Sequence, residues 1–192
     1  SLQIGNTGSG TNTLSETAAV TLTTGGNLIL GPSSGSKGTL TLNGASSVFI
    51  DNADAYIGGS TTAGGKGILY IKNGSATIAG ALNIWNTTGT AVNLSGGSLT
   101  AASINVNNNP AHFNWTGGTL TLTGSGSFPL AQVPAGATLQ MAPTTFDSSL
   151  TGPAAGLTNS GTIAFDSPVG GHNDTFAGNG GKHQRGRGDD RA

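Results

Sequence analysis

Short apolar pairs at i and i+2, recurring in threes and in a constant order, limit what this chain can fold into more than any other feature. One ladder of pairs runs Leu28/Leu30, Ala55/Ile57, Leu82/Ile84 and Ile104/Val106. A second runs Leu40/Leu42, Leu69/Ile71, Val92/Leu94 and Phe113/Trp115. A third follows a corner and runs Val48/Ile50, Ala76/Ile78, Leu99/Ala101 and Leu120/Leu122. Side chains alternate across a strand, so residues two apart share a face, and each pair predicts a short strand with one buried side. Three such strands per period of 21 to 29 residues describe one coil of a parallel solenoid. An antiparallel meander fits less well, because its strands recur at about 8–12 residues. No stretch longer than a turn carries helical periodicity. The expected fold is therefore all-β, a right-handed parallel β-helix (β-solenoid) of about seven irregular coils.

Between the second and third strands stand Asn43-Gly44, Asn73-Gly74, Gly96-Gly97 and Gly117-Gly118. A chain that turns sharply within two residues needs positive φ, which Gly and Asn tolerate. Composition follows from this plan. Gly, Thr, Ser and Asn make up about half of the chain, charged residues are 8%, and the net charge is -1. With 34% hydrophobic residues the chain has enough apolar surface for a core, so the glycine does not predict disorder. Outward positions such as Thr41, Thr77, Asn83, Asn93, Thr100, Asn105, Asn114 and Thr121 suit a solvated pleated face. Coils stack at about 4.8 Å, so like charges in register would repel while stacked Asn and Thr can hydrogen-bond.

The expected organisation is a degenerate N-terminal coil over 1–19, regular repeats over 20–128, a less regular continuation over 129–168 and a polar tail over 169–192. Leu2/Ile4 and Val20/Leu22 before Gly25-Gly26 mark the first coil. Five of the seven prolines lie between Pro129 and Pro168, where longer excursions leave the ladder. Leu139/Met141 and the run from Leu157 to Phe165 restore the pattern, so the solenoid is expected to reach about Phe165. The tail holds four of the seven Lys and Arg residues. It reads either as a disordered terminus or as the product of a reading-frame shift near Asn179, which the nucleotide sequence distinguishes.

Asn27-Leu28-Ile29-Leu30-Gly31, Gly38-Thr39-Leu40-Thr41-Leu42-Asn43-Gly44, Ala55-Tyr56-Ile57-Gly58, Gly67-Ile68-Leu69-Tyr70-Ile71-Lys72-Asn73-Gly74 and Trp115-Thr116-Gly117-Gly118-Thr119-Leu120-Thr121-Leu122 resemble repeats of bacterial autotransporter (type V secretion) passengers. They are similar also to PEP-CTERM-associated surface proteins. The resemblance covers about residues 20 to 165 and implies export to a surface or extracellular location; the partners expected there are glycans or host or cell-surface proteins. It says little about activity, because such repeats carry adhesins, enzymes and inert stalks. The chain opens at Ser1-Leu2-Gln3-Ile4 without a leader pattern and is read as a mature piece, any export signal lying outside it. Nothing here approaches the ~18 consecutive apolar residues of a membrane span. Nothing basic enough to track phosphates precedes Lys182, which argues against nucleic acid.

Chemistry-bearing residues are few. Asp51 and Asp54 form a pair in a turn that could serve glycoside hydrolysis or a cation, though a turn is also where Asp caps backbone. A lyase is disfavoured by the lack of Arg before Arg185. Gly170-Gly171-His172-Asn173-Asp174-Thr175-Phe176-Ala177-Gly178 is similar to a calcium-binding nonapeptide but lacks one of its glycines. His112 stands outward beside Phe113 with no triad partner proposed. Trp85 occupies the corner held by Gly31 and Gly58, as a sugar-stacking ring with Tyr56 or Tyr70 or as a cover over a gap. Thr-Leu-Thr triplets at Thr21, Thr39, Thr119 and Thr121 raise an ice-binding array, which breaks at Ile68/Tyr70, Ala91/Asn93 and His112/Asn114; ordinary outward Thr is the expectation. Asn73, Asn86, Asn93, Asn114 and Asn173 head Asn-x-Ser/Thr triplets of the kind this composition produces by chance. The expectation is a non-catalytic stalk or adhesion surface without catalytic residues, metal or cofactor, able to self-associate through exposed solenoid ends. The alternative is a polysaccharide-active enzyme or glycan-binding module.

Overall fold

A computed structural model describes residues 1–14, 20–142, 149–165, 175–178 and 181–184. The chain is an all-β solenoid of parallel strands, and its one helical segment among the described residues is a 3-10 turn at Pro110–His112. Leu2–Ile4, Leu28–Leu30 and Ala55–Ile57, then the C-terminal parts of Ser75–Ile84 and Ser98–Asn105, stack as the first face. Ser9–Leu14, Lys37–Leu42, Lys66–Ile71, Ala91–Leu94 and Phe113–Trp115 stack as the second. Val20–Thr24, Ser47–Asp51, the N-terminal parts of Ser75–Ile84 and Ser98–Asn105, Gly118–Leu122, Ala137–Met141 and Thr162–Phe165 stack as the third. Seven rungs of the third face are separated by about six turns. That is the difference from the about seven coils expected.

The apolar pairs of the first two ladders pair as the spacing predicts: Leu28 with Ala55, Ala55 with Leu82, Leu40 with Leu69, Leu69 with Val92 and Val92 with Phe113. Their inward members are fully or almost fully buried in one continuous core that reaches from Ile4 to Phe176. Burying such a side chain is worth about 1.5–3 kcal/mol, and each coil supplies both walls of the neighbouring layer.

The third ladder departs from expectation in its second rung. Phe49 and Asp51, not Val48 and Ile50, face inward, paired with Ala76 and Ile78. The corner before this strand holds two more residues than those of later coils: Phe49 follows the last inward Leu42 by seven positions, Ala76 follows Ile71 by five. With Val48, Phe49 and Ile50 all apolar, alternation alone did not select the face. The bulk of Phe49 is accommodated beside the small Ala76, whereas the opposite register would turn the phenyl to water.

The corner glycines have a double reason to be glycine. Gly74, Gly97 and Gly118 adopt φ of 78°, 63° and 77°. A Cβ on Gly97 would collide with the carbonyl oxygen of Gly74, and one on Gly118 would meet that of Gly97.

After Trp115 only the third face continues without interruption. The other two faces restart in separate small sheets, Gly126–Ser127 with Ser149–Thr151 and Gln132–Val133 with Thr158–Asn159. The ladder also passes beyond Phe165. Thr175–Gly178 pairs in parallel with Ser149–Thr151, and buried Phe176 meets Phe128 edge to face at 6.0 Å between ring centroids. Gly181–Gln184 then folds back antiparallel on Thr175–Gly178. The rest of the expected tail, including the proposed frame-shift point at Asn179, lies outside the described residues.

Gly97→Ala combines a forced left-handed conformation with a backbone collision, each destabilising on its own. The variant is expected to lose roughly 2–4 kcal/mol in denaturant unfolding; an unchanged midpoint would contradict the corner geometry.

Candidate functional site

The two acids of the Asp51-Asn52-Ala53-Asp54 turn are placed by the corner that joins the second coil to the third. Asp51 is fully buried, in register with Thr24 of the coil before. Its Oδ2 accepts the Leu28 N–H at 3.0 Å and its Oδ1 accepts the Ala53 N–H at 3.2 Å. Asp54 points to the following coil, where its Oδ1 accepts the Ala81 N–H at 2.8 Å, and its Oδ2 accepts the Tyr56 hydroxyl at 3.3 Å. One carboxylate therefore ties the corner to the coil behind and the other to the coil ahead. Both bind main-chain donors that the turn takes out of the ladder. Desolvation raises the Asp51 carboxyl above its ordinary range, the Leu28 and Ala53 N–H groups work against that shift, and the nearby Asp54 charge adds to it.

The Trp85 corner is built as a cover. Its Nε1 donates to the Ser60 carbonyl at 2.9 Å, and its ring lies so close over Gly59 that a Cβ there would collide with it. Tyr56 belongs to the first face and Tyr70 to the second, where the Lys72 ammonium lies 5.7 Å from the Tyr70 ring centroid. The three rings thus occupy a corner and two different faces. They do not share one stacking platform.

Beside Trp85 lies a polar network that the sequence did not reveal. Thr87 Oγ1 donates to the Gly65 carbonyl at 2.8 Å and stands 2.6 Å from Thr90 Oγ1, which accepts the Gly67 N–H. His112 Nδ1 donates to the Thr90 carbonyl at 2.6 Å, and its Nε2 lies 3.0 Å from Asn86 Oδ1, to which Asn109 Nδ2 also donates. Repeated Thr and Asn in a low-complexity chain carry no local mark of such a cluster. What brings these residues together is the coil-to-coil spacing of about 22–26 residues.

A recess of about 240 Å³ opens where the second face stops, with Phe113 and Trp115 on one side and Leu130 and Gln132 on the other. Pro110 joins it to a second hollow lined by Asn105, Asn107 and Asn108, the last two at positive φ of 44° and 63°. Its amides and aromatic edges are chemistry for binding a neutral ligand. No acid, base and nucleophile converge on it.

Among the described residues no three His, Asp or Glu side chains form a group able to hold a metal ion. The calcium-like segment over Gly170–Asp174, with the Asn173 triplet, lies outside the described residues. Of the other triplet asparagines, Asn73, Asn86 and Asn114 are exposed and Asn93 is half-buried. Among the described residues no helix is long and apolar enough to cross a membrane. Compared with family models, curated proteins and solved structures, the chain shows no significant match to any.

Because the Asp51 carboxyl titrates higher in the fold than unfolded, the native state holds the extra proton between the two values. Stability therefore falls as pH rises through that window, which begins near the ordinary value of 3.8. Measured across it, the stability of the native chain relative to Asp51→Asn should decline with rising pH; a rise would contradict the buried placement.

Proposed function

We propose that this chain is a non-catalytic segment of a bacterial surface or secreted protein of autotransporter type, serving as a stalk and an adhesion surface. The observation that carries the reading is the fate of its acids. Asp51 and Asp54 are the pair from which a hydrolytic mechanism is most readily drawn, yet Asp51 is held by main-chain N–H groups of the corner and of a neighbouring coil, and Asp54 by the Ala81 N–H of the next coil and the Tyr56 hydroxyl. A carboxylate fixed in this way holds coils together. Support for extended presentation comes from the core, in which each coil contacts its neighbours and polar, mostly uncharged faces are turned outward. Export and a surface or extracellular location are what the resemblance of the repeats to passenger segments implies. The recess beside Trp115 favours a second reading, a glycan-binding module, in which Asn and Gln amides would meet sugar hydroxyls.

Incubation with a panel of polysaccharides separates these readings from an enzyme. The expected result is no release of reducing or unsaturated ends by the native chain. Cleavage that disappears in Asp51→Asn/Asp54→Asn, with folding retained, would overturn the proposal. Binding to particular glycans that is lost on Gln132→Ala would assign the recess.

A further inference from the structure

The third face carries a two-column lattice that becomes visible only with the observed register. One outward column reads Thr21, Val48, Ser75, Ser98, Thr119, Thr138, Thr162. The other reads Thr23, Ile50, Thr77, Thr100, Thr121, Gln140, Ala164. The interruptions anticipated at Ile68/Tyr70, Ala91/Asn93 and Asn114 belong to the second face, as does Thr39. Moving Val48 and Ile50 outward continues both columns with β-branched side chains, Val48 being close to Thr in shape.

Strand propensity for Thr does not account for the distribution. All three faces are solvated parallel sheets under the same propensity. Yet the first face shows Gln3, Tyr56, Asn83 and Asn105 outward, and the second begins with Lys37 and Lys66 in register. Ten of fourteen outward positions on the third face bear a hydroxyl and none is charged. Its columns run without a shift; the register shift in Ser98–Asn105 lies between Ala101 and Ser103, past both columns. Rungs at about 4.8 Å and columns about 6.6 Å apart make a lattice roughly 29 Å long.

We propose that this face binds ice. The ligand is neutral, crystalline and periodic, and the face answers each property. It carries no charge that would hold hydration water in a competing arrangement. Hydroxyls at ten of the fourteen positions, eight of them on Thr with its methyl group, sit at fixed intervals in two directions, so water ordered over one rung is in phase with water over the next. Its side chains are mostly β-branched with stiff χ1, so little rotamer freedom is lost on adsorption. Six turns then sum many weak contacts into one rigid surface. The assignment goes beyond the stalk reading and stands whether or not the chain is anchored to a cell.

Slow growth of an ice shell from a solution of the protein, with thermal hysteresis read on the same sample, tests it. The native chain is expected to be enriched severalfold in the ice over an inert globular protein and to show hysteresis. Thr100→Lys/Thr121→Lys should abolish both, as should the uncharged, bulky Thr100→Tyr, with circular dichroism unchanged. Asn93→Lys/Asn114→Lys on the second face should leave both intact. Exclusion of the native chain from ice, equal loss in variants of either face, or adsorption to crystalline cellulose without hysteresis would overturn the proposal.

Discussion

Everything in this molecule depends on parallel main-chain hydrogen bonding between one coil and the next at a constant spacing. A strand that pairs in register on both sides has no freedom to choose its inward residues independently. Its neighbours impose the parity, and the core is continuous only where all three strands of a coil obey it. The apolar pairs, the glycine columns and the low charge are consequences of that constraint. An inward polar residue or a corner side chain stacked on itself must find a partner in an adjacent coil or be removed.

The corners show how such partners are found. Where Gly97 sits over Gly74, the backbone approaches too closely for any side chain. Where Asp51 and Asp54 stand, their oxygens accept N–H groups from the coils behind and ahead. Where Trp85 replaces glycine, its ring lies on Gly59 and its N–H reaches Ser60. The same solution recurs at Thr87 and Thr90 with His112, a network spanning three coils that needs no catalytic purpose to explain its order.

Most of the fold was legible in the sequence because the repeat is written in residues with one plausible face. Leu28/Leu30 and Leu40/Leu42 alternate with polar or small neighbours, and the structure pairs them as the spacing implied. The second rung of the third face was not legible, because Val48-Phe49-Ile50 is apolar throughout and the deciding factor, two extra corner residues, acts at a distance. Two features depend on the parity of that rung. Asp51 reads as a turn acid in the sequence but is an interior one, and the hydroxyl lattice that starts at Thr21 is obscured both by this rung and by the second-face residues Ile68/Tyr70, Ala91/Asn93 and Asn114, which periodicity alone does not separate from it. The passage of the ladder to Phe176 was hidden by intervening prolines and by a composition that reads as tail.

Engineered disulfides test the register most directly, since the chain has no cysteine of its own. Outward residues stacked in parallel rungs lie at about 4.8 Å, within the ~4.4–6.8 Å that a disulfide spans. Ile50→Cys/Thr77→Cys and Asn93→Cys/Asn114→Cys should therefore cross-link within the monomer on oxidation or with a short thiol-reactive bridge. Ile50→Cys/Ala76→Cys, whose side chains the register places on opposite faces, should stay reduced. Ready closure of this last pair with failure of Ile50→Cys/Thr77→Cys would contradict the stacking on which both the fold and its third face rest.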